Sequence, residues 1–319
     1  MYSRILVPLD GSLAAEAALP VAAAIAQRTG ADLELALVHV SVASALAAAP
    51  AAVDFGELDR VQLEDEAVYL RRVTERMHAD HDLRVAAHHL SGPVVDTLAA
   101  HIDGAHVDLV VMTTHGRGAM GRLWLGSVAD GLVRTVATPV LMLRAAEEPG
   151  GRPVHFRRVM VPLDQSPVAE HAVLAARELL EEEGECLLVS VIDPSPLMKV
   201  APLPFGLIPE VPVDGELQDT TRAYLERVAR HVRRLGARAR TAVRIAGNPA
   251  VEILDEARRE RVDAIVVTSH GVGGFRRFLL GSVVDKLVRS ADVPVLVCRP
   301  PVAQRPPAAR RGMAVHRAG

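Results

Sequence analysis

The tract THGRGAMGRLWLGSVADGLVRTVATPVLMLR, Thr114 to Arg144, returns as SHGVGGFRRFLLGSVVDKLVRSADVPVLVCR, Ser269 to Arg299, with sixteen of thirty-one positions identical and no gap. Its best-kept part is a glycine-rich loop that opens at Gly116 or Gly271 and runs into Gly126-Ser127 or Gly281-Ser282. Glycine lets backbone come close to a ligand, and a helix start offers unpaired N–H groups at the positive end of its dipole. The chemistry such a loop supports is binding of an anion, phosphate above all. Ser127-Val-Ala-Asp130 and Ser282-Val-Val-Asp285 have capping-box spacing, which predicts each serine as a helix cap. In the blander reading the glycines only turn the chain and the serine only caps. Duplication of the whole loop favours the ligand.

Other motifs supply less. Gly116-Arg117-Gly118-Ala119-Met120-Gly121 satisfies GxGxxG, but it follows the fourth strand of its half rather than the first, and Arg276 replaces the third glycine in the copy. Gly116-x4-Gly121 also opens like a P-loop, yet Arg122-Leu123 stands where Lys-Ser/Thr is required. His115 and His270 sit inside the loop without a duplicated partner that would make a triad or a metal-ligand spacing, so they are read as bracing it. His88 and His89 fall on opposite faces of a strand, which argues against one shared metal. No GxSxG elbow or HExxH is present. No catalytic residue is assigned.

These residues need elements to position them. Short β-branched runs alternate with longer alanine-rich helical patterns, the signature of βαβ units and a parallel sheet. The first half reads as strand 4–9, helix 13–29, strand 33–41, helix 58–80, strand 84–90, helix 93–104, strand 107–113, helix 127–136 and strand 139–143. The second half repeats it: Asp10 aligns with Asp164, Leu37–Val40 with Leu188–Val191, and Ser91-Gly92 with the segment around Gly247. Five strands and four helices per half result. In a doubly wound sheet, ligands bind at the carboxyl ends of the strands, where Asp10, Val40, Gly92 and the loop of one half would meet, as would Asp164, Val191, Gly247 and the loop of the other.

The last strand of each half, TPVLMLR and VPVLVCR, is too apolar to stand at an open edge. Either the halves pair through these strands as an intramolecular pseudo-dimer, or a helix covers each edge. After the second strand, SVASALAAAPAAVDFGEL and DPSPLMKVAPLPFGLIPEVPVDGE read as long loops or lids. The expected layout is one domain over 1–146, a linker over 147–156, a second domain over 157–300 and a disordered tail over 301–319.

Length agrees, since 319 residues suit two domains of about 150. Apolar residues make up 50% and aromatics only 3%, so the cores are aliphatic, as buried parallel strands require. A net charge of -3 and the lack of a basic groove with aromatics argue against nucleic acid. The opening MYSRILVPLDGS enters a strand at once, and no stretch approaches the roughly 18 apolar residues of a membrane span. A cytoplasmic protein with no membrane contact is expected. Cys186 and Cys298 lack CxxC partners and read as buried, reduced thiols.

With VPLDGS, VHV, THG-x9-GSV and TPVLMLR in that order, the chain resembles the universal stress protein family in its tandem two-domain form, over about residues 3–144 and 157–299. The resemblance implies an α/β fold of two tandem doubly wound, Rossmann-like domains, each a five-stranded parallel sheet of order 3-2-1-4-5. It also implies binding of ATP, with Mg²⁺ beside the phosphates, in a regulatory role in stress response. Asp10 and Asp164 would then lie by the adenosine, and Val40 and Val191 would receive adenine. Gly116, Arg117, Gly126 and Ser127, with Gly271, Gly281 and Ser282, would hold ribose and phosphates. Pro8, Met112, Thr113, Val128, Pro162, Val267, Thr268 and Val283 would complete the two walls.

The family signature G-x2-G-x9-G-[ST] survives from its second glycine onward, but Thr113 and Thr268 replace the first in both copies. The alternatives are a nucleotide-free interaction protein of the same fold, or a slow adenosine-phosphate hydrolase. Asp10 as a plain helix cap, Val40 and Val191 as plain core, and a homodimer of the pseudo-dimer all stay open.

Overall fold

The computed structural model describes residues 1–41, 55–114, 125–144, 155–194, 215–269 and 280–299. In the first half, β1 (Arg4–Leu9), β2 (Asp32–His39), β3 (Val85–Ser91), β4 (Leu109–Thr113) and β5 (Val140–Leu143) alternate with helices. These are α1 (Leu13–Glu16), α2 (Leu19–Thr29), α3 (Phe55–Asp80), α4 (Val94–Gly104) and α5 (Ser127–Thr135). The second half carries β6 (Arg158–Pro162), β7 (Glu185–Ile192), β8 (Arg238–Ile245), β9 (Ala264–Thr268) and β10 (Val295–Cys298). With them run α6 (His171–Leu179), α7 (Gly215–Arg234), α8 (Pro249–Arg259) and α9 (Ser282–Ser290).

The helix expected over 13–29 is two helices. Pro20 lacks the N–H that a continuous helix would use there and occupies the first turn of α2 instead, where that donor is not needed. Gly30, at φ 72°, ends α2 in the left-handed conformation that spares glycine a Cβ clash.

All ten strands join one sheet of order β3-β2-β1-β4-β5-β10-β9-β6-β7-β8. Within each half the neighbours are parallel. Between halves, β5 and β10 run antiparallel, with Val140, Leu141 and Met142 opposite Val297, Leu296 and Val295. The apolar end strands therefore satisfy each other's backbone, and neither is left as an edge. Arg144 reaches Asp292 at 3.2 Å across the same junction, and the Arg299 guanidinium donates to the Arg134 carbonyl.

Alternation along the strands sends side chains into two apolar layers. Ile5, Val7 and Leu9 face α2 and α3, with α6 and α7 on the same side; Leu6, Val110 and Met112 face α4, α5, α8 and α9. Each layer takes residues from both halves, so the core is continuous across the β5–β10 seam. Phe156, placed by its neighbours' Pro and Gly in the linker, is 1% exposed and belongs to this core. The structured second half thus starts before residue 157. Residues 147–154 of the expected linker, both long loops except their ends, and the tail lie outside the described residues.

Candidate functional site

Strand β1 ends in the turn Asp10-Gly11-Ser12. Oδ1 of Asp10 accepts from the Ser12 amide at 2.9 Å and from its hydroxyl at 2.6 Å, while Ser12 Oγ accepts from the Ala15 amide at 3.1 Å. Ser12, not Asp10, caps α1; the aspartate orients the cap. Gly11 sits at φ 81°, where a side chain is strained. The second half rebuilds this turn with Asp164 and Ser166 at 3.0, 2.6 and 3.1 Å. Gln165 takes the left-handed position at φ 65°, and its amide donates to Thr221 Oγ1 at 3.1 Å.

At the exit of β4, the Thr114 amide donates to the Leu143 carbonyl and the Gly126 amide donates back to the Thr114 carbonyl at 2.7 Å. This pins the start of α5 against the carboxyl end of the sheet. The expected capping box does not form. Gly126 is the cap residue, Ser127 is the first residue of the helix, and no side chain caps it. Asp130 turns its carboxylate forward onto Arg134, at 2.7 Å to each of two nitrogens, rather than back to the helix start. In α9, Gly281 and Ser282 repeat this, and Asp285 pairs with Arg289 at 2.8 Å. An i,i+4 guanidinium is the better partner for a short aspartate than an amide behind it.

The first hydrogen bond inside α5 runs from Asp130 to the Gly126 carbonyl. The amides of Ser127, Val128 and Ala129 therefore have no intrahelical acceptor. All three residues line a cleft of about 510 Å³. Pro8, Asp10, Val40, Met112, Thr113 and Gly126 line it too. Of the site residues expected in the first half and described, all but Gly92 thus border one space. Gly116 and Arg117, with Gly271 of the copy, lie outside those residues, as do His115 and His270. Val40 is 40% exposed, which rules out a plain core role. Thr113, at 6%, is buried at the strand end.

Among the cleft residues that escaped the motif reading, two on α3 are polar. Gln62 and Glu66 of α3 form a polar wall. Glu66 falls in register with buried Leu70, Val73 and Met77, an acid in an apolar stripe, which was the available signal. His39 Nδ1 and His89 Nε2 each donate to Glu66 Oε2 at 2.9 Å, and the Gln62 amide donates to Oε1 at 2.7 Å. Burial pushes the Glu66 pKa up, but these three donors outweigh it and hold the carboxyl below its ordinary range.

In the second half, Pro162 and Asp164 close β6, Val267 and Thr268 close β9, and Gly281 is held by its amide to the Ser269 carbonyl at 3.1 Å. Val191 packs partly buried against the apolar layer of α8 and α9, and so does Val283.

The family model of the universal stress protein family matches residues 1–144 and again 155–299. The chain belongs to the universal stress protein family. A universal stress protein of Mycolicibacterium smegmatis is 31% identical over 307 residues, covering 93% of this chain and 97% of that one. One from Mycobacterium tuberculosis is 29% identical over 301 residues, covering 92% and 96%. Among solved structures, a universal stress protein from Archaeoglobus fulgidus matches with a TM-score of 0.66 at 19% identity, over 93% of this chain and 98% of that one. That likeness speaks for the fold. The tandem form is shared along nearly the whole chain, and among the described residues no helix is long and apolar enough to cross a membrane.

Proposed function

We propose that this universal stress protein binds an adenine nucleotide, ATP, in the cleft of its first half, with a second site at the matching residues of the other half. Occupancy, not turnover, is then its regulatory output in the cytoplasm under stress. The observation that supports this most is the convergence of Asp10, Val40, Thr113 and the amides of residues 127–129 on one cleft. Its volume lies within the range of about 300–1,000 Å³ common for small-molecule sites.

The chemistry of the lining suits the ligand. Exposed Val40, with Met112, offers an apolar seat for a base, and the amides at the start of α5 suit a phosphate. Gly281 gives further support. Its φ is -59°, and a Cβ there would meet its nearest atom, the Ser269 carbonyl oxygen, at an ordinary 3.8 Å. Among the described residues neither strain nor packing explains the glycine, whereas close approach of a ligand would. Mg²⁺ fits only as the nucleotide's own companion. Glu66 is committed to Gln62, His39 and His89, and Asp10 to Ser12, so the ion would take its ligands mainly from phosphate and water.

The β5–β10 pairing lets one chain act as its own dimer, with domains meeting at about residue 155. The second reading, a nucleotide-free interaction protein, draws on β-branched Thr113 in the cleft wall where a glycine would leave more room. Heat denaturation of purified protein followed by ion-exchange chromatography of the supernatant, together with calorimetric titration of ATP, separates the two. Released adenine nucleotide or saturable ATP heat supports the first reading. Neither, at millimolar ligand, leaves the second.

A further inference from the structure

At the end of the sheet opposite the cleft, near the starts of β1 and β2, lies a group of side chains that nucleotide binding does not use. Glu34 of β2 is 6% exposed, facing His88 of β3 and His101 of α4. Its Oε2 is 2.8 Å from His101 Nε2 and 3.5 Å from His88 Nε2. The two imidazoles lie 4.5 Å apart, tilted by 52°. All three donor atoms fall within 4.8 Å of one another. The other carboxylate oxygen, Oε1, is 3.1 Å from Arg4 Nε, and the Arg4 guanidinium is itself tied to the Ala105 carbonyl.

A hydrogen-bonded brace leaves one feature unexplained. His88 Nε2 is buried and has no hydrogen-bond partner among the described residues, and such an atom is costly unless something else satisfies it. The duplication supplies a comparison within the same chain. Glu34 sits two residues before Ala36, the register partner of His88; Glu185 sits two before Leu187, the partner of Arg240. His101 is the eighth residue of α4, and Glu256 is the eighth of α8. The second half therefore fills the same positions with an ion-pair network. Arg158 lies 2.9 Å from Glu185, Arg240 lies 3.0 Å from Glu260, and Arg244 lies 2.5 Å from fully buried Glu256. That network shows how the fold braces this corner with charge alone. The first half has instead kept two imidazoles and one carboxylate.

We propose that Glu34, His88 and His101 form a binding site for a divalent transition-metal ion, Zn²⁺ in the first instance, found in the first half only. Two histidines and one glutamate are a known donor set for tetrahedral zinc, with a fourth position left to water. Bond lengths of about 2.0–2.2 Å place tetrahedral donors about 3.4 Å apart. The His88 separation already matches, and the His101 separation has to open by about 0.6 Å as its N–H gives way to the ion. Arg4 holds the glutamate by its outer oxygen, the place where carboxylate ligands are commonly oriented. The ion ties the outermost strand, β3, to β2 and α4. His89, on the other face, goes to Glu66 and takes no part.

The test uses the full chain, stripped with a chelator and dialysed against Zn²⁺, with bound metal measured by mass spectrometry after desalting. The expected result is one equivalent retained, and a thermal midpoint about 5 °C higher at a hundredfold excess over Kd. A His88→Arg/His101→Glu variant installs residue types that the second half folds with at these positions, and it should lose the retained equivalent and the shift. His89→Thr, which copies the second half on the opposite face, should keep both. Absence of retained zinc in the wild type overturns the proposal, and so does full retention in His88→Arg/His101→Glu.

Discussion

Superposed by the register of their outer strands, the two halves agree at the strand ends and diverge in what they bury. The Asp10 and Asp164 turns match to within 0.1 Å in all three of their hydrogen bonds. The starts of α5 and α9 share the same glycine cap and the same i,i+4 Asp–Arg pair. On the face of α3 and α7, however, His39, Glu66 and His89 give way to Ser190, Thr221 and Thr241, all of them hydroxyls. On the other face, Glu34, His88 and His101 give way to Glu185, Arg240 and Glu256. After duplication, the Asp–Ser turns after β1 and β6 and the glycine caps of α5 and α9 have been held in place, while the polar wall that Glu66 gives the first cleft has not. The outer strands have been free to solve the same burial problem with different chemistry.

The largest effect that would test this contrast is on binding. Gly126→Val fills the cleft at the start of α5, and ATP affinity of the first site should fall by at least about a hundredfold in calorimetry, some 2.7 kcal/mol. Gly281→Val should leave that site alone and affect only a second, separable event.

Next come the buried clusters. Glu256 is fully buried, with Arg244 and Arg259 turned onto it. Removing it as Glu256→Ala strands two guanidinium groups that are each partly exposed, so the expected cost is about 2–3 kcal/mol in urea unfolding, below that of a fully buried pair. His101→Ala in metal-free protein removes one hydrogen bond at the matching place and should cost about 1 kcal/mol. Equal losses would dissolve the contrast between a charged corner and a ligand-ready one.

The third effect depends on pH. The folded pKa of Glu66 is depressed, so its contribution to stability is complete above the ordinary carboxylate value of about 4.5 and is lost as pH falls through the folded value. The gap in urea midpoint between wild type and Glu66→Gln should be full at pH 6 and shrink below pH 4.5. Thr221→Val in the second half should show no such dependence on acid.

The smallest effect concerns the thiols of the second half. Burial pushes Cys186 and Cys298 up to about 12. Neither should react with a thiol reagent in native protein at neutral pH, and both should react on unfolding.

The fold was largely legible in the sequence because each strand is a short apolar run and each helix keeps its stripe. Boundaries fell within a few residues of those observed. The break at Ala17-Ala18 was missed because the alanine pattern runs on through it, and only Pro20 marks the new start. The serine caps were misread because Ser-x-x-Asp spacing does not show that Asp130 and Asp285 each have an arginine four residues ahead. Of the site, the strand-end residues could be read from repetition and family resemblance. Glu66 could not, since its partners His39 and His89 lie on strands far from it in sequence. The His88 cluster was hidden for the same reason. Alternation correctly separated His88 from His89, but nothing local revealed that α4 would bring His101 within reach.

The most direct measurement of the central claim is calorimetric titration of ATP into the wild type and Gly126→Val, side by side. Saturable binding in the wild type that is weakened at least about a hundredfold by the substitution is the predicted result. Equal affinity in both proteins, or no binding in either at millimolar ATP, would contradict it.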